Sequence, residues 1–309
     1  MKFMKRHWLT VFLIGTVALV QPVFAADKIA VTTTTTMVTD MVMAVGGDRV
    51  EVTGLMGPGV DPHLYKPGAK DITYLSQAQL IFYSGLMLEG RMADLFSKMA
   101  QRGKKVYAIT DTIPRDRLLE PASFAGHFDP HVWGDPELWS MCVDTVVSAL
   151  SENDPVGKAI YAERGAALKK DYAELDAWAK KQADELPESN RVLITSHDAF
   201  NYFGLAFGFE VVGVQGISTV SEAGLADITR IVDFIKERKV KAIFVESSVS
   251  PATIQRISQD AGVKIGGELF SDALGTPGKI KTSGGITYDE GTYKGWIGHN
   301  INTVVDALK

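Results

Sequence analysis

The sequence predicts an α/β protein of two domains, each built on a mainly parallel sheet with helices on its faces, and three observations carry that expectation. The chain has 309 residues, 46% of them hydrophobic, enough to bury a large core and, at roughly 100–200 residues per domain, to divide it between two. Strand-like and helix-like stretches alternate twice along it, and such alternation sets successive strands side by side in parallel. Between the two alternating halves lies a charged, alanine-rich stretch of helical periodicity with no proline after its first residue, Pro155.

The opening residues differ in kind. Lys2, Lys5 and Arg6 precede an apolar run from Trp8 to Val20, and Val23-Phe24-Ala25 offers small residues at the usual cleavage positions. The run is well short of the ~20 residues of a spanning helix, so residues 1–25 read as a secretory signal peptide cleaved after Ala25, with a retained anchor as the weaker alternative. Cys142 is the single cysteine, so no disulfide is expected, and none lies at the cleavage site to take a lipid. The expected destination is the periplasm. The net charge of -5 becomes more negative once the leader's three cations are gone, which argues against nucleic acid and anionic membranes as partners.

In the first half, Lys28 to Thr34 reads as a strand and Thr36 as the cap of a helix in which Met37, Met41 and Val45 share a face until Gly46-Gly47. The five threonines from Thr32 to Thr36 are read as a strand end running into that cap, with no function assigned. Val50 to Leu55 is a strand, Ala69 to Gln77 a helix, Leu80 to Tyr83 a strand, Met92 to Gln101 a helix and Val106 to Ile109 a strand. A turn-rich region follows, then a helix after Pro136 that carries Cys142.

Pro155 to Leu186 reads as one long helix with Leu168, Tyr172, Leu175 and Ala179 on one face, long enough to run from one lobe to the other. Two shorter helices broken at Gly165 are the alternative. In the second half, strands are expected at Arg191 to Thr195, Glu210 to Val214, Lys241 to Val245 and Val263 to Gly266, with a further extended piece at Glu268 to Phe270. Helices are expected at Gly224 to Lys239, at Pro251 to Ala261 and near the C-terminus.

The phrase Asp-Pro-His occurs twice, at Asp61-Pro62-His63 and Asp129-Pro130-His131. Proline fixes its own φ and pushes the preceding residue toward extended geometry, so each histidine is presented from a stiff turn. His197 follows one second-half strand and Asp272 another, and the carboxyl ends of parallel strands are where open α/β sheets bind ligands. Taken singly, His197 reads equally as a packed histidine and Asp272 as a cap or turn residue. Together, His63, His131, His197 and Asp272 offer three imidazoles and a carboxylate, two donors per lobe, a comfortable set for tetrahedral Zn²⁺ and acceptable to Mn²⁺. One carboxylate leaves a divalent ion at formal charge +1, which calls for acidic support from Glu246, Asp61 or Asp129. His299 reads as a packed or surface residue of the C-terminal helix.

Four stretches carry a family resemblance: Met56 to His63, Phe128 to Trp133, Ser196 to Phe200 and Gly266 to Asp272. In that order they resemble the TroA-like family, the zinc- and manganese-binding solute-binding proteins of bacterial ABC importers. The resemblance implies two α/β lobes joined by one long linker helix, a metal ion enclosed between them, and His63, His131, His197 and Asp272 as its ligands. It further implies delivery to an ABC permease in the inner membrane by a monomer without enzymatic activity. The corresponding units are a signal peptide at 1–25, lobes at 26–154 and 187–309, and a linker at 155–186.

Two departures bear on the metal. Dedicated zinc members carry a long histidine-rich insertion before the second ligand, where this chain has a short loop with only His127. Manganese-preferring members often have glutamate where this chain has His197. The cargo is therefore expected to be zinc, manganese or both, one ion per chain, with ferrous iron a further candidate. The alternative from another class is a secreted zinc-dependent hydrolase using the His₃-carboxylate set. Catalysis would need an open coordination position beside a general base, and neither a His-Glu-x-x-His helix nor a comparable motif is present.

Overall fold

The computed structural model describes residues 28–309, and the leader expected at 1–25 lies outside them. In the first half, β1 (Ile29–Thr33), β2 (Val50–Gly54), β3 (Leu80–Tyr83) and β4 (Lys105–Ala108) form an all-parallel sheet in the order β2-β1-β3-β4. Its crossovers carry α1 (Thr36–Gly46), α2 (Ala69–Gln77) and α3 (Ala93–Gln101). Alternation along β3 serves both faces of the sheet: Leu80 and Phe82 join the main core with α1, while Ile81 packs with Leu75 of α2 and Phe96 of α3. The lobe closes with α4 (Pro136–Asn153), which Asp135 caps through the backbone N–H of Glu137 at 2.8 Å.

The helix cap lies one residue earlier than expected. Thr35 accepts from Val38 N, and Thr36 opens α1 with its hydroxyl free to accept the backbone N–H of Leu274 from the other lobe at 2.8 Å. The threonine run thus also ties the lobes together.

The linker is the unbroken 26-residue helix α5 (Lys158–Ala183), about 39 Å long at 1.5 Å per residue, preceded by a tight 3₁₀ turn at Pro155–Gly157. Gly165 does not interrupt it. A Cβ there would stand 2.5 Å from Val147 Cγ2 of α4, so the glycine lets the two helices approach closely. Tyr172, Leu175 and Ala179 are buried as the periodicity predicts, and Leu168 partly so.

The second half pairs β5 (Val192–Thr195) with β6 (Glu210–Gly213) and β7 (Ala242–Glu246) with β8 (Lys264–Leu269), both parallel, and β5 lies against β7. The helices are α6 (Asn201–Phe207), α7 (Leu225–Arg238) and α8 (Ala252–Ala261). The two extended pieces expected around Gly266 are one strand with a shift in register: Ile265 pairs with Ile243 and Gly267 with Phe244, leaving Gly266 over. A Cβ on Gly266 would meet Ala307 Cβ at 2.6 Å and Phe244 Cε1 at 2.7 Å, so only glycine fits there. Such an irregularity re-aims the residues that follow it, here the segment leading to Asp272.

An antiparallel hairpin, β9 (Ile280–Ser283) and β10 (Ile286–Asp289), turns at Gly284-Gly285 with both φ values positive and precedes α9 (Tyr293–Leu308). α5 packs on α1 and α4 of the first lobe and on α9 of the second. One continuous buried cluster, including Met41, Trp139, Tyr172, Phe203 and Trp296, runs through both lobes.

Candidate metal centre

Two predicted ligands stand just beyond the carboxyl ends of strands and two lie in longer connections that follow strands. His63 lies in the loop after β2, His131 in the connection after β4, His197 two residues past β5 and Asp272 three past β8. The fold brings all four together: one donor atom from each lies within 4.8 Å of every other, and all four residues are buried. His63 Nε2 is 3.3 Å from His131 Nε2 and 3.7 Å from Asp272 Oδ2, while Asp272 is 3.5 Å from His131 Nε2 and 3.2 Å from His197 Nε2. Four donors placed tetrahedrally at ~2.0–2.2 Å from one ion stand about 3.3–3.6 Å apart, so the spacing matches a single divalent transition metal.

Three of the donor atoms also lack other occupation. His197 Nε2 and both oxygens of Asp272 are buried without a directed hydrogen bond. Polar atoms so placed cost free energy unless a partner is supplied, and a cation between them is that partner.

The opposite edges of two imidazoles are held by carboxylates. Asp129 Oδ1 accepts the backbone N–H of His131 at 3.0 Å and sits 2.7 Å from its Nδ1, and Glu246 Oε2 sits 2.5 Å from Nδ1 of His197. This directs Nε2 of each ring inward. Asp129 is itself fixed by Asn201 Nδ2 at 3.0 Å. Asp61 differs. Its Oδ1 accepts the backbone N–H of His63 at 2.8 Å, but it makes no bond to the ring.

The Asp272 loop is fixed from both lobes. The carbonyl of Ser271 accepts the indole N–H of Trp133 at 3.1 Å and of Trp296 at 3.0 Å. Asn300 clamps Phe270 by donating to its carbonyl at 2.7 Å and accepting its N–H at 2.9 Å.

Burial, with the neighbouring imidazoles adding to it against the pull of Asp272, pushes the pKa of His63 down to about 3 and keeps that ring neutral. Burial also opposes charge on His197, but the Glu246 and Asp272 carboxylates outweigh it and hold its pKa well above the ordinary histidine value. For Asp272 burial acts upward, yet the three imidazoles bring its pKa below the usual carboxylate range. Asp129 is likewise lowered, against its burial, by His131.

His127 is exposed, its ring tilted against that of Phe124 at 5.2 Å between centroids, and stands outside the cluster. His299 packs on Phe270 at 4.2 Å and bonds the carbonyl of Glu268, as a structural residue of α9. Of the three supporting carboxylates expected, Glu246 and Asp129 touch the ligands' rings and Asp61 touches only a ligand's backbone. The indoles of Trp133 and Trp296 and the amides of Asn201 and Asn300 were not anticipated. Trp133 and Asn201 lie within a few residues of His131 and His197, which is the one signal that could have found them.

A family model described as zinc-uptake complex component A, periplasmic (ZnuA), matches residues 31–307. The manganese-binding lipoprotein MntA of Bacillus subtilis (strain 168) is 42% identical over 290 residues, 92% of this chain and 91% of that protein. The iron ABC transporter substrate-binding lipoprotein MtsA of Streptococcus pyogenes serotype M1 is 32% identical over 260 residues, 82% of this chain and 83% of that protein. Among solved structures, the periplasmic zinc-binding protein TroA from Treponema pallidum matches with a TM-score of 0.85 at 43% identity, covering 91% of this chain and 99% of that one.

Proposed function

The chain belongs to the family of periplasmic zinc-uptake components, and from that premise we propose that it captures one divalent transition-metal ion between its lobes and hands it to an ABC importer. His63, His131, His197 and Asp272 are the ion's ligands in this reading. The observation that carries it is the convergence of four buried donors, three of whose atoms have no other directed partner. Members of the family serve transport and are not enzymes. Nothing at the site favours a hydrolase: the nearest additional carboxylates, Asp129 and Glu246, are already engaged with imidazoles, and no further His, Cys, Asp or Glu joins the cluster among the described residues.

Charge supports the same reading. Asp272 alone would leave a buried ion at +1, and Asp129 with Glu246 adds two negative charges through the bridging imidazoles, so the ion is held without a large uncompensated charge. The relatives are named for manganese, zinc and iron. Three imidazoles with one carboxylate bind Zn²⁺ more tightly than Mn²⁺ on ligand softness and the divalent affinity series, so zinc is the tighter cargo here and supply decides what is carried.

The protein acts outside the cytoplasm. We take it to be processed after Ala25 and soluble, since its only cysteine, Cys142, is buried in α4 and offers no lipid attachment point. We take the working unit to be a monomer of two lobes, 26–154 and 187–309, about the linker at 155–186, which docks on an inner-membrane permease. Competition calorimetry with Zn²⁺ and Mn²⁺ on metal-free protein tests the reading. One tightly held ion per chain is expected, and a folded His63→Ala/His131→Ala/His197→Ala variant that kept its affinity would overturn the ligand assignment.

A further inference from the structure

The four ligands are not held equally. His131 and His197 are fully buried with their Nδ1 atoms on carboxylates, and the Asp272 loop is fixed by Trp133, Trp296 and Asn300. His63 is the ligand nearest solvent, at 4% exposure against 0–1% for the others. Its Nδ1 makes no protein hydrogen bond among the described residues, so no carboxylate holds the outer edge of its ring as Asp129 and Glu246 hold the other two.

That backbone is held by Asp61, whose Oδ1 accepts the His63 N–H at 2.8 Å. The other oxygen of Asp61 accepts the hydroxyl of Thr219 at 2.6 Å. Thr219 belongs to the second lobe, in the loop between β6 and α7, where it is buried beneath Val220, which is 59% exposed. Other cross-lobe hydrogen bonds, through Thr36, Trp133 and Tyr293, end on groups tied to the shared core, and those of Asn201 and Tyr202 to Asp129 come from helix α6, whose Tyr202 is part of that core. The Thr219–Asp61 bond differs from these in reaching a predicted ligand's turn from a loop and not from a helix packed in the core.

We propose that Thr219 is a positioning residue for the metal site: its bond to Asp61 latches His63 in place when the lobes are closed, and His63 is the first ligand to leave when the ion is released. The inference rests on the proposed function and adds to it an order of events. Breaking one hydrogen bond, part-buried beneath an exposed loop tip, frees the turn from Asp61 to His63 while three ligands stay in place, so release needs no separation of the shared aromatic core. A partner that grips the exposed loop at Val220 would thereby loosen the ion.

The test is the dissociation rate of Zn²⁺ from the full mature chain, followed by stopped-flow transfer to a chromophoric chelator. Thr219→Val keeps the shape and removes the hydroxyl. A lost hydrogen bond to a charged acceptor corresponds to a factor of roughly ten, so dissociation should quicken about tenfold while association changes by less than about twofold. Thr219→Ser, which restores the hydroxyl, should restore the slow rate, and Asp61→Asn combined with Thr219→Val should be no faster than Asp61→Asn alone. An unchanged rate in Thr219→Val, or a serine variant as fast as the valine variant, overturns the latch. Failure of the wild-type chain to bind Zn²⁺ would overturn the proposed function instead, so the two failures are distinct.

Discussion

Glu246 holds His197 at two points: Oε1 accepts its backbone N–H at 2.8 Å and Oε2 stands 2.5 Å from its ring Nδ1. Asp129 does the same for His131 with one oxygen, at 3.0 and 2.7 Å. Each carboxylate therefore fixes the position of an imidazole, its tautomer and its basicity together.

Replacing Glu246 by Gln keeps the shape and one acceptor but removes the charge. Partners of this kind are worth about 10–100-fold in metal affinity, so Glu246→Gln and Asp129→Asn should each weaken Zn²⁺ binding by that range in competition calorimetry with one site per chain retained. Variants that bind as tightly as the wild type would show that these carboxylates serve the fold and not the ion.

Binding should also stabilise the fold. An ion bound only by the folded state, at a free concentration a hundred times its Kd, adds about 2.7 kcal/mol. For a chain of this size that is a rise of roughly 5–10 °C in Tm. Differential scanning fluorimetry across a Zn²⁺ titration should show the midpoint climbing with the logarithm of metal, and alanine at His131 should abolish the climb.

Asp40 supplies a pH dependence away from the metal. Its carboxylate lies against α9, accepting the N–H of Tyr293 at 3.0 Å, and burial, aided by the negative charge of Asp289, raises its pKa to about 6. The folded protein then binds this proton more tightly than the unfolded chain. The contribution is most favourable below the unfolded pKa of about 4 and is lost as pH rises through 6. Asp40→Asn keeps an acceptor for Tyr293 and removes the buried charge. Its Tm relative to wild type should rise between pH 5 and pH 7.5, and a pH-independent difference would assign the raised pKa no part in stability.

Gly165 tests the packing of the linker. With Val147 Cγ2 only 2.5 Å from where a Cβ would sit, Gly165→Leu must push α4 and α5 apart. Overpacking of this kind costs about 1–3 kcal/mol, visible as a lower midpoint in urea with little change in slope. A neutral result would show that the helices can separate without penalty.

The convergence of His63, His131, His197 and Asp272 was legible because each sits in a short local device, a proline turn or a strand end, whose effect does not depend on distant residues. Glu246 was legible for the same reason, as the last residue of β7. The two Asp-Pro-His phrases show where that reasoning stops. Asp129 reaches the ring of its histidine, whereas Asp61 spends its second oxygen on Thr219 from the other lobe, a contact no local pattern announces. The irregularity at Gly266 was misread as a gap between two strands because its cause is Ala307 and Phe244, both remote in sequence. The seven residues of α6 are too few to show a period, while Gly284-Gly285 was a hairpin signal that could have been used.

Trp133 stands edge-on to the ring of His131, with 5.2 Å between centroids, and donates its indole N–H to the carbonyl just before Asp272. One fluorophore thus touches a predicted ligand of the first lobe and the residue before the predicted ligand of the second. Freed of the emission of Trp139, Trp178 and Trp296 by substitution to Phe, this indole is a built-in optical probe of the junction between the two lobes at the site.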